Sequence, residues 1–326
     1  MTVQVTIIGL RQIGTSIGWA LGEYKDQIVR TGTDADPARV QQAQKQGALD
    51  KISYRLADAV RDADVVLLAV PIEDVEETLK AIAPELRAGA VILDTSPLKV
   101  AVFEWVKDIL PEDRYFISFL PTLNPVYLHE VEAERGEAHL DLFKNGLVVI
   151  ACPPGTHADA VRLADDLTGL IGARPFYADP YESDGLVAAI DLLPQLTSSA
   201  LLTAISSQPG WQEARKLGGK AFMAGTSAME MAQGDNPETV FFLNRENTIR
   251  VLDNLIHALG SIRDTLVDND SETLHSLLLK MRDIRHDWWT LRQQGNWERK
   301  TEQTEIPSAA ERLGRLIGLR PRKEKK

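Results

Sequence analysis

The stretch "TIIGLRQIGTSIG", residues 6–18, decides the fold of this chain. β-Branched residues lead into Gly9, a second glycine follows at Gly14, and an apolar helical pattern begins behind it. In a dinucleotide-binding loop, the first glycine permits a tight turn and the last lets the helix pack closely on the strand. The diphosphate then binds the free N–H groups of the helix N-terminus. The stretch therefore predicts a strand, a phosphate-binding turn and a helix.

Arg11 stands where such a loop usually has its middle glycine. Its side chain could block the pocket, turn outward, or bind a phosphate as a charged donor. Asp34 ends the second predicted strand, at the distance where a carboxylate accepts hydrogen bonds from the ribose of NAD and repels the extra phosphate of NADP. We therefore expect NAD as cofactor, with NADP less favoured. The residues expected to contact it are Gly9, Arg11, Gln12, Ile13, Gly14, Asp34, Val70 and Pro71.

Outward from this loop, the first half of the chain alternates short β-rich runs with helical stretches. That alternation is typical of a parallel sheet covered by helices on both faces. After about Pro180 the strand signals stop, and leucine-rich helical patterns follow. The predicted fold class is α/β, with a Rossmann-type doubly wound parallel sheet followed by an all-helical C-terminal domain. The expected parts are a dinucleotide-binding domain at 1–179, a helical domain at 180–300 and a basic tail at 301–326.

The composition of the chain argues against several classes of partner and site. The net charge of −11 argues against nucleic acid or an anionic membrane as a partner. Cys152 is the single cysteine, so an intrachain disulfide is impossible and a reducing cytoplasm fits. The six histidines are scattered without ligand spacing, so we expect no metal site. No secretory signal is visible, and apolar runs such as "SALLTAI" are too short to cross a bilayer. We expect a cytoplasmic protein that acts on a small molecule.

Several longer blocks between residues 1 and 296 together resemble the prephenate/arogenate dehydrogenase family. The blocks are "IIGLRQIGTSIGWAL", "ADVVLLAVPIEDVEETLKAIAPELRAGAVILDTSPLK", "LPQL" and "FFLNRE". The resemblance implies a Rossmann-type domain followed by a helical substrate domain that also forms a homodimer. It implies an NAD(P)-dependent oxidation of a ring alcohol, with loss of carbon dioxide, in tyrosine biosynthesis.

The chain departs from this family where the proton is transferred. The family has a histidine before a proline at a strand end, whereas here Leu120 precedes Pro121. Leucine cannot accept a proton. In "SPLK", Pro97 replaces the family's serine, while Ser96 and Lys99 keep a hydroxyl and an amine nearby. We take Lys99, Ser96 and Asp191 as the candidate catalytic residues.

The resemblance also implies a changed substrate site. The histidine–aspartate pair that opens the family's helical domain becomes Ser183–Asp184, and its paired histidines become Leu192 and Gln195. The family's carboxylate-binding arginine aligns near Glu230. An acidic cleft would disfavour a dicarboxylate and suit a cationic amine or imine, although each acid also fits an ordinary solvated helix face. The candidate substrate residues are Asn124, Asp184, Gln195, Glu230 and Asn244.

Three functions remain open from the sequence. The first is a diverged NAD(P)-dependent oxidoreductase with an altered substrate. The second is a non-catalytic protein of the same fold that binds a cofactor or metabolite. The third is an authentic prephenate or arogenate dehydrogenase that uses a substitute base.

Overall fold

The structure is a computed structural model that describes residues 2–129, 136–231 and 236–295, together with 311, 312 and 314. The predicted tail at 301–326 therefore lies outside the described residues except for Glu311, Arg312 and Gly314.

The N-terminal part is built on one eight-stranded sheet. Its strands are β1 (Val3–Ile8), β2 (Ile28–Thr33), β3 (Lys51–Ile52), β4 (Val65–Leu68), β5 (Val91–Asp94), β6 (Tyr115–Pro121), β7 (Leu147–Ala151) and β8 (Arg174–Tyr177). The strand order is β3-β2-β1-β4-β5-β6-β7-β8, and every pair is parallel except β6 with β7. The order reverses between β1 and β4, which is where open α/β sheets bind their ligands. The predicted doubly wound sheet is confirmed.

Helices cover both faces of the sheet, as the apolar strands require. The helices of this part are α1 (Gln12–Leu21), α2 (Pro37–Lys45), α3 (Leu56–Val60), α4 (Ile72–Ile82), α5 (Val100–Ile109) and α6 (Ala158–Leu170). One buried cluster contains side chains of α1 and α6, and the other contains side chains of α4 and α5. All four residues of β4 are buried, because helices lie on each side of the sheet.

The C-terminal part is helical, as predicted. Its helices are α7 (Pro180–Val187), α8 (Leu193–Ser206), α9 (Trp211–Ala214), α10 (Lys220–Thr226), α11 (Glu238–Leu243), α12 (Arg245–Val267) and α13 (Ser271–Gln294). A π-helical turn, Ala188–Leu192, joins α7 to α8 immediately before Pro194. The missing N–H and the ring of a proline disturb the helix one turn earlier, which accounts for this position.

Because the helix continues through the π turn, Pro180–Ser206 forms one 27-residue segment. Its mean hydropathy reaches 1.4, so one helix is long and apolar enough by length and composition to cross a membrane. The run "SALLTAI", which by itself is too short to cross a bilayer, is part of this longer helix. A single helix of this kind is weak support for a membrane span, and Ala188 and Leu192 are buried within the folded protein.

Candidate active site

The glycines of the β1–α1 loop are required by packing. Gly9 has φ +93°, and a Cβ there would lie 2.3 Å from the carbonyl oxygen of Ala69. A Cβ on Gly14 would lie 1.9 Å from the carbonyl oxygen of Gly9. The loop can therefore turn tightly and seat α1 against the ends of β1 and β4 only while both positions lack a side chain.

The N-terminus of α1 has the form of an anion site. Arg11 is the N-cap residue and makes no side-chain capping hydrogen bond. The amide groups of Gln12, Ile13 and Gly14 belong to the first turn, where intrahelical bonding leaves the N–H groups open. The side chain of Arg11 is exposed, so it does not fill the turn. This arrangement fits the diphosphate of a dinucleotide.

Asp34 connects this loop to the end of β2. Its Oδ2 accepts a hydrogen bond from the Leu10 amide at 2.7 Å, and its Oδ1 accepts one from the Asp36 amide at 2.9 Å. A nitrogen of Arg39 lies 3.8 Å from Oδ1. Carboxylate oxygens carry further lone pairs, so Asp34 can also accept from a ribose hydroxyl. Val70 and Pro71 follow β4 and are partly buried beside this loop.

The loop after β5 contains a buried polar cluster. The hydroxyl of Ser96 donates a hydrogen bond to Oδ2 of Asp94, and the Ser96 amide donates to Oδ1 at 3.2 Å. Burial raises the pKa of Asp94, and the Ser96 hydrogen bond opposes this only in part. Asp94 was missed by the sequence analysis, although a carboxylate at the end of the buried strand in "AVILDT" was a usable signal.

Lys99 lies at the base of the same loop and is fully buried. Its Nζ donates to the carbonyl oxygens of Ser96 at 2.9 Å and Pro97 at 3.3 Å. Burial lowers the pKa of Lys99 to about 8 against the opposing effect of Asp94 and Asp184. The cost of burying this ammonium is therefore present below about pH 8 and is relieved as the pH rises toward its ordinary pKa of 10.5.

Asp184 of the helical part lies on the N-terminus of α5. Its two carboxylate oxygens accept hydrogen bonds from the amides of Lys99 at 2.7 Å and Val100 at 3.1 Å. Asn244 holds α7 from the other side, because its Nδ2 donates to the carbonyl oxygen of Asp184 at 2.7 Å. The structure thus places these two predicted substrate residues in the contact between the two parts of the protein.

The other predicted substrate residues have different surroundings. Asn124 is buried and donates to the carbonyl oxygen of Asp141 at 3.1 Å, so it closes the connection between β6 and β7. The Nε2 of Gln195 donates to Asp191 at 3.3 Å across the end of the π turn. Asp191 is exposed, yet nearby protein atoms partly desolvate its carboxylate and raise its pKa. Glu230 is exposed in the 3₁₀ turn Ser227–Met231.

Leucines occupy positions 120 and 192, which the sequence analysis matched to two histidines of the resembling family. Leu120 lies near the end of β6 and packs, partly buried, against the core cluster of α4 and α5. Leu192, in the π turn, is buried in the same cluster. Neither side chain can carry a proton, so proton transfer at this site would need other groups.

The fold and loop geometry define a class, the NAD-binding oxidoreductase fold with a helical second domain. The sequence model of "Prephenate dehydrogenase, nucleotide-binding domain" matches residues 17–177. The cyclohexadienyl dehydrogenase of Zymomonas mobilis is 26% identical over 280 residues, which cover 84% of this chain and 92% of that protein. The family model and this relative both indicate the prephenate/arogenate dehydrogenase family.

Solved structures share the fold over most of its length. Prephenate dehydrogenase from A. aeolicus, in complex with hydroxyphenyl propionate and NAD+, superposes with a TM-score of 0.76 at 19% identity, covering 88% of this chain and 98% of the other. Arogenate dehydrogenase from Synechocystis gives a TM-score of 0.71 at 19% identity, covering 88% and 100%. At these identities, the likeness establishes the fold alone.

Proposed function

We propose that this protein is an NAD-dependent oxidoreductase that acts on a small molecule between the sheet edge and the helical domain. The observation that carries the proposal is the uncapped N-terminus of α1, beside a glycine turn and the Asp34 carboxylate. When bound there, a nicotinamide nucleotide supplies a hydride acceptor or donor. Gln12, Ile13 and Gly14 would bind its diphosphate, and Asp34 its ribose. The single cysteine supports a cytoplasmic location.

The substrate proposed is a cation or a zwitterion with an amine. The resemblance matches leucines to two of the family's histidines, and it matches Glu230, within one residue, to the family's arginine. Asp191 adds an exposed carboxylate at the π turn. These groups disfavour a dicarboxylate through like-charge repulsion and favour an amine, an imine or arogenate over prephenate. An authentic arogenate dehydrogenase with a substitute base is a special case of this proposal.

A second candidate is a cofactor-binding protein without catalysis. Two observations favour this candidate. Lys99 is fully buried, and neither Leu120 nor Leu192 can carry a proton. Both candidates require NADH binding, and turnover separates them. A screen of NAD+ reduction and NADH oxidation with amines, imines, arogenate and prephenate distinguishes the two.

Calorimetric titration with NAD+, NADH, NADP+ and NADPH tests the cofactor site. We expect the wild-type protein to bind NADH more tightly than NADPH, because Asp34 repels the 2′-phosphate. Asp34→Ser should lower that preference about tenfold or more, since it removes the repulsion and leaves Arg39 available to a phosphate. Asp36→Ser is the matched control, because Asp36 also lies near Arg39 but is more exposed. Equal preference in Asp34→Ser and wild type would contradict this assignment.

We also propose that the protein is a homodimer through its helical domain. Helix α12 has 23 residues, of which Thr248 and Val251 are buried. Ile256 and Leu259 on the same helix are 63% and 56% exposed. Large apolar side chains are also exposed along α13, at Leu278, Met281, Ile284 and Trp288. Apolar side chains that are exposed together in a patch are typical of an interface between protein chains.

Analytical ultracentrifugation tests the dimer. We expect the wild-type chain to sediment as a dimer and the double variant Ile256→Glu/Leu259→Glu to sediment as a monomer, because two buried carboxylates would oppose the apolar contact. Asn254→Glu, an exposed polar position on the same helix, should leave the dimer intact. A wild-type monomer, or dissociation by the control alone, would contradict the proposed interface.

A further inference from the structure

Helix α6 has a glycine near its C-terminal end that the backbone conformation does not require. The helix ends at Leu170, and Gly169 is part of its last turn. Gly172, just beyond the helix, has φ +80° and ends it in the left-handed conformation that favours glycine. Gly169 is helical and has no positive φ. A glycine inside a helix makes it less stable than an alanine would, so the glycine at position 169 has another cause.

The guanidinium of Arg312 occupies the space that a side chain at position 169 would take. A Cβ on Gly169 would lie between 2.0 and 2.6 Å from three atoms of this guanidinium, Nη1, Cζ and Nε. Nη1 also donates a hydrogen bond to the carbonyl oxygen of Asp165 at 3.0 Å. Arg312 is only 7% exposed, although it belongs to the segment that the sequence predicts to be a basic tail. The planar group therefore lies in a notch on α6 that glycine leaves open.

The charge of Arg312 also complements the end of α6. A cation stabilises the C-terminal turn of a helix, because the carbonyl groups there carry partial negative charge. Helix α6 has no basic residue of its own in its last turn. Asp165 and Asp166 add negative charge just before that turn. Arg312 therefore supplies a positive charge that α6 lacks.

Arg312 lies close to the turn that follows α1 as well. This 3₁₀ turn, Gly22–Tyr24, comes directly after the helix. Burial and the charge of Glu23 raise the pKa of Tyr24, and the positive charge of Arg312 opposes that rise. Side chains of α1 and α6 belong to the same buried cluster. Arg312 thus lies beside the C-terminal ends of two helices that cover the same face of the sheet.

We propose that the last turn of α6 is a docking surface for the C-terminal segment of the same chain, with Gly169 as the notch and Arg312 as the residue that fills it. The surface fits an arginine because it combines space for a planar group, a carbonyl acceptor and negative charge. The docked segment stabilises the sheet part of the protein by connecting α6 to the turn after α1. This inference does not depend on the proposed oxidoreductase function.

A double-mutant cycle of Gly169→Ala and Arg312→Ala in the full chain tests the notch. Arg312→Ala should lower the thermal midpoint by about 2 °C or more, because a charged hydrogen bond to α6 is lost. Gly169→Ala should also lower the midpoint in the wild-type chain, because its methyl group displaces the guanidinium. In the Arg312→Ala background, Gly169→Ala should instead raise the midpoint by about 1–3 °C, since alanine favours a helix over glycine. An effect of Gly169→Ala with the same sign and size in both backgrounds would overturn the proposal.

Arg162→Ala is the matched control for the loss of an arginine that contacts α6. Arg162 is exposed on the same helix and pairs with Asp159 at 3.0 Å, so its loss should shift the thermal midpoint by less than about 1 °C. Hydrogen exchange gives a local readout of docking. The amides of Leu170 and Ile171 should exchange faster in Arg312→Ala than in wild type, and at the wild-type rate in Arg162→Ala. Exchange at the wild-type rate in Arg312→Ala would overturn the proposal.

Discussion

Gly9→Ala is expected to lower the free energy of unfolding by about 2–5 kcal/mol, which combines about 1–2 for a left-handed backbone with about 1–3 for overpacking. The cause is the φ of +93° together with a Cβ only 2.3 Å from the carbonyl oxygen of Ala69. That carbonyl is backbone in the segment after β4, so it cannot move aside as a flexible side chain could. NADH affinity should fall about tenfold or more, because the turn that precedes α1 must shift.

Gly155→Ala separates backbone strain from the steric clash. Gly155 has a similar φ of +83°, but a Cβ there would have nothing within 4 Å. Gly155→Ala should lower the free energy of unfolding by about 1–2 kcal/mol and leave the affinity for NADH unchanged. Chemical denaturation and calorimetric titration measure both effects. Equal destabilisation by the two variants would show that close packing against Ala69 contributes nothing.

Asp184→Ala is expected to lower the free energy of unfolding by about 3–5 kcal/mol. The substitution leaves the amides of Lys99 and Val100 without their acceptor, and an unpaired buried donor costs about 1–3 kcal/mol. It also removes a carboxylate whose charge partly offsets the buried ammonium of Lys99. Because Asp184 belongs to the helical part and α5 to the sheet part, the contact between the two parts should loosen. Faster hydrogen exchange at the first amides of α5 would report this directly.

The control for Asp184→Ala is a substitution of Asp179, another aspartate that caps a helix but whose hydrogen bonds do not join the two parts of the protein. Asp179 caps α7 by accepting from the amides of Tyr181 and Glu182, and both of those residues are exposed. Asp179→Ala should cost about 1 kcal/mol, as for an ordinary N-cap. The loss of unfolding free energy in Asp184→Asn should lie between those of Asp184→Ala and Asp179→Ala, because the asparagine amide oxygen can accept one of the two hydrogen bonds. If Asp184→Ala cost no more than Asp179→Ala, the contact between the two parts would not depend on this carboxylate.

The fold could be predicted from the sequence because the patterns that specify it involve residues close together in the chain. The glycines at positions 9 and 14 follow from the turn geometry, and alternating strands and helices follow from apolar periodicity. The helix Pro180–Ser206 contains Pro194, whose ring and missing N–H disturb a regular helix. The structure accommodates the proline with a π turn and continues the helix. The proline accounts for the position of the π turn, and the packing of the folded protein determined that the helix continues beyond it.

The roles of the buried polar residues could not be predicted in the same way. Asp184 was matched to the aspartate of the family's histidine–aspartate pair, whereas its hydrogen-bond partners, the amides of Lys99 and Val100, are 85 and 84 residues away. Asp94 was not singled out, because its burial comes from the neighbouring strands and its hydrogen bonds come from Ser96. The sequence by itself determined a glycine turn before a helix, a doubly wound sheet and a helical C-terminal part. Only the tertiary structure decided which acids are buried and which contact each other, because burial and pairing of charge depend on segments distant in sequence that meet in space.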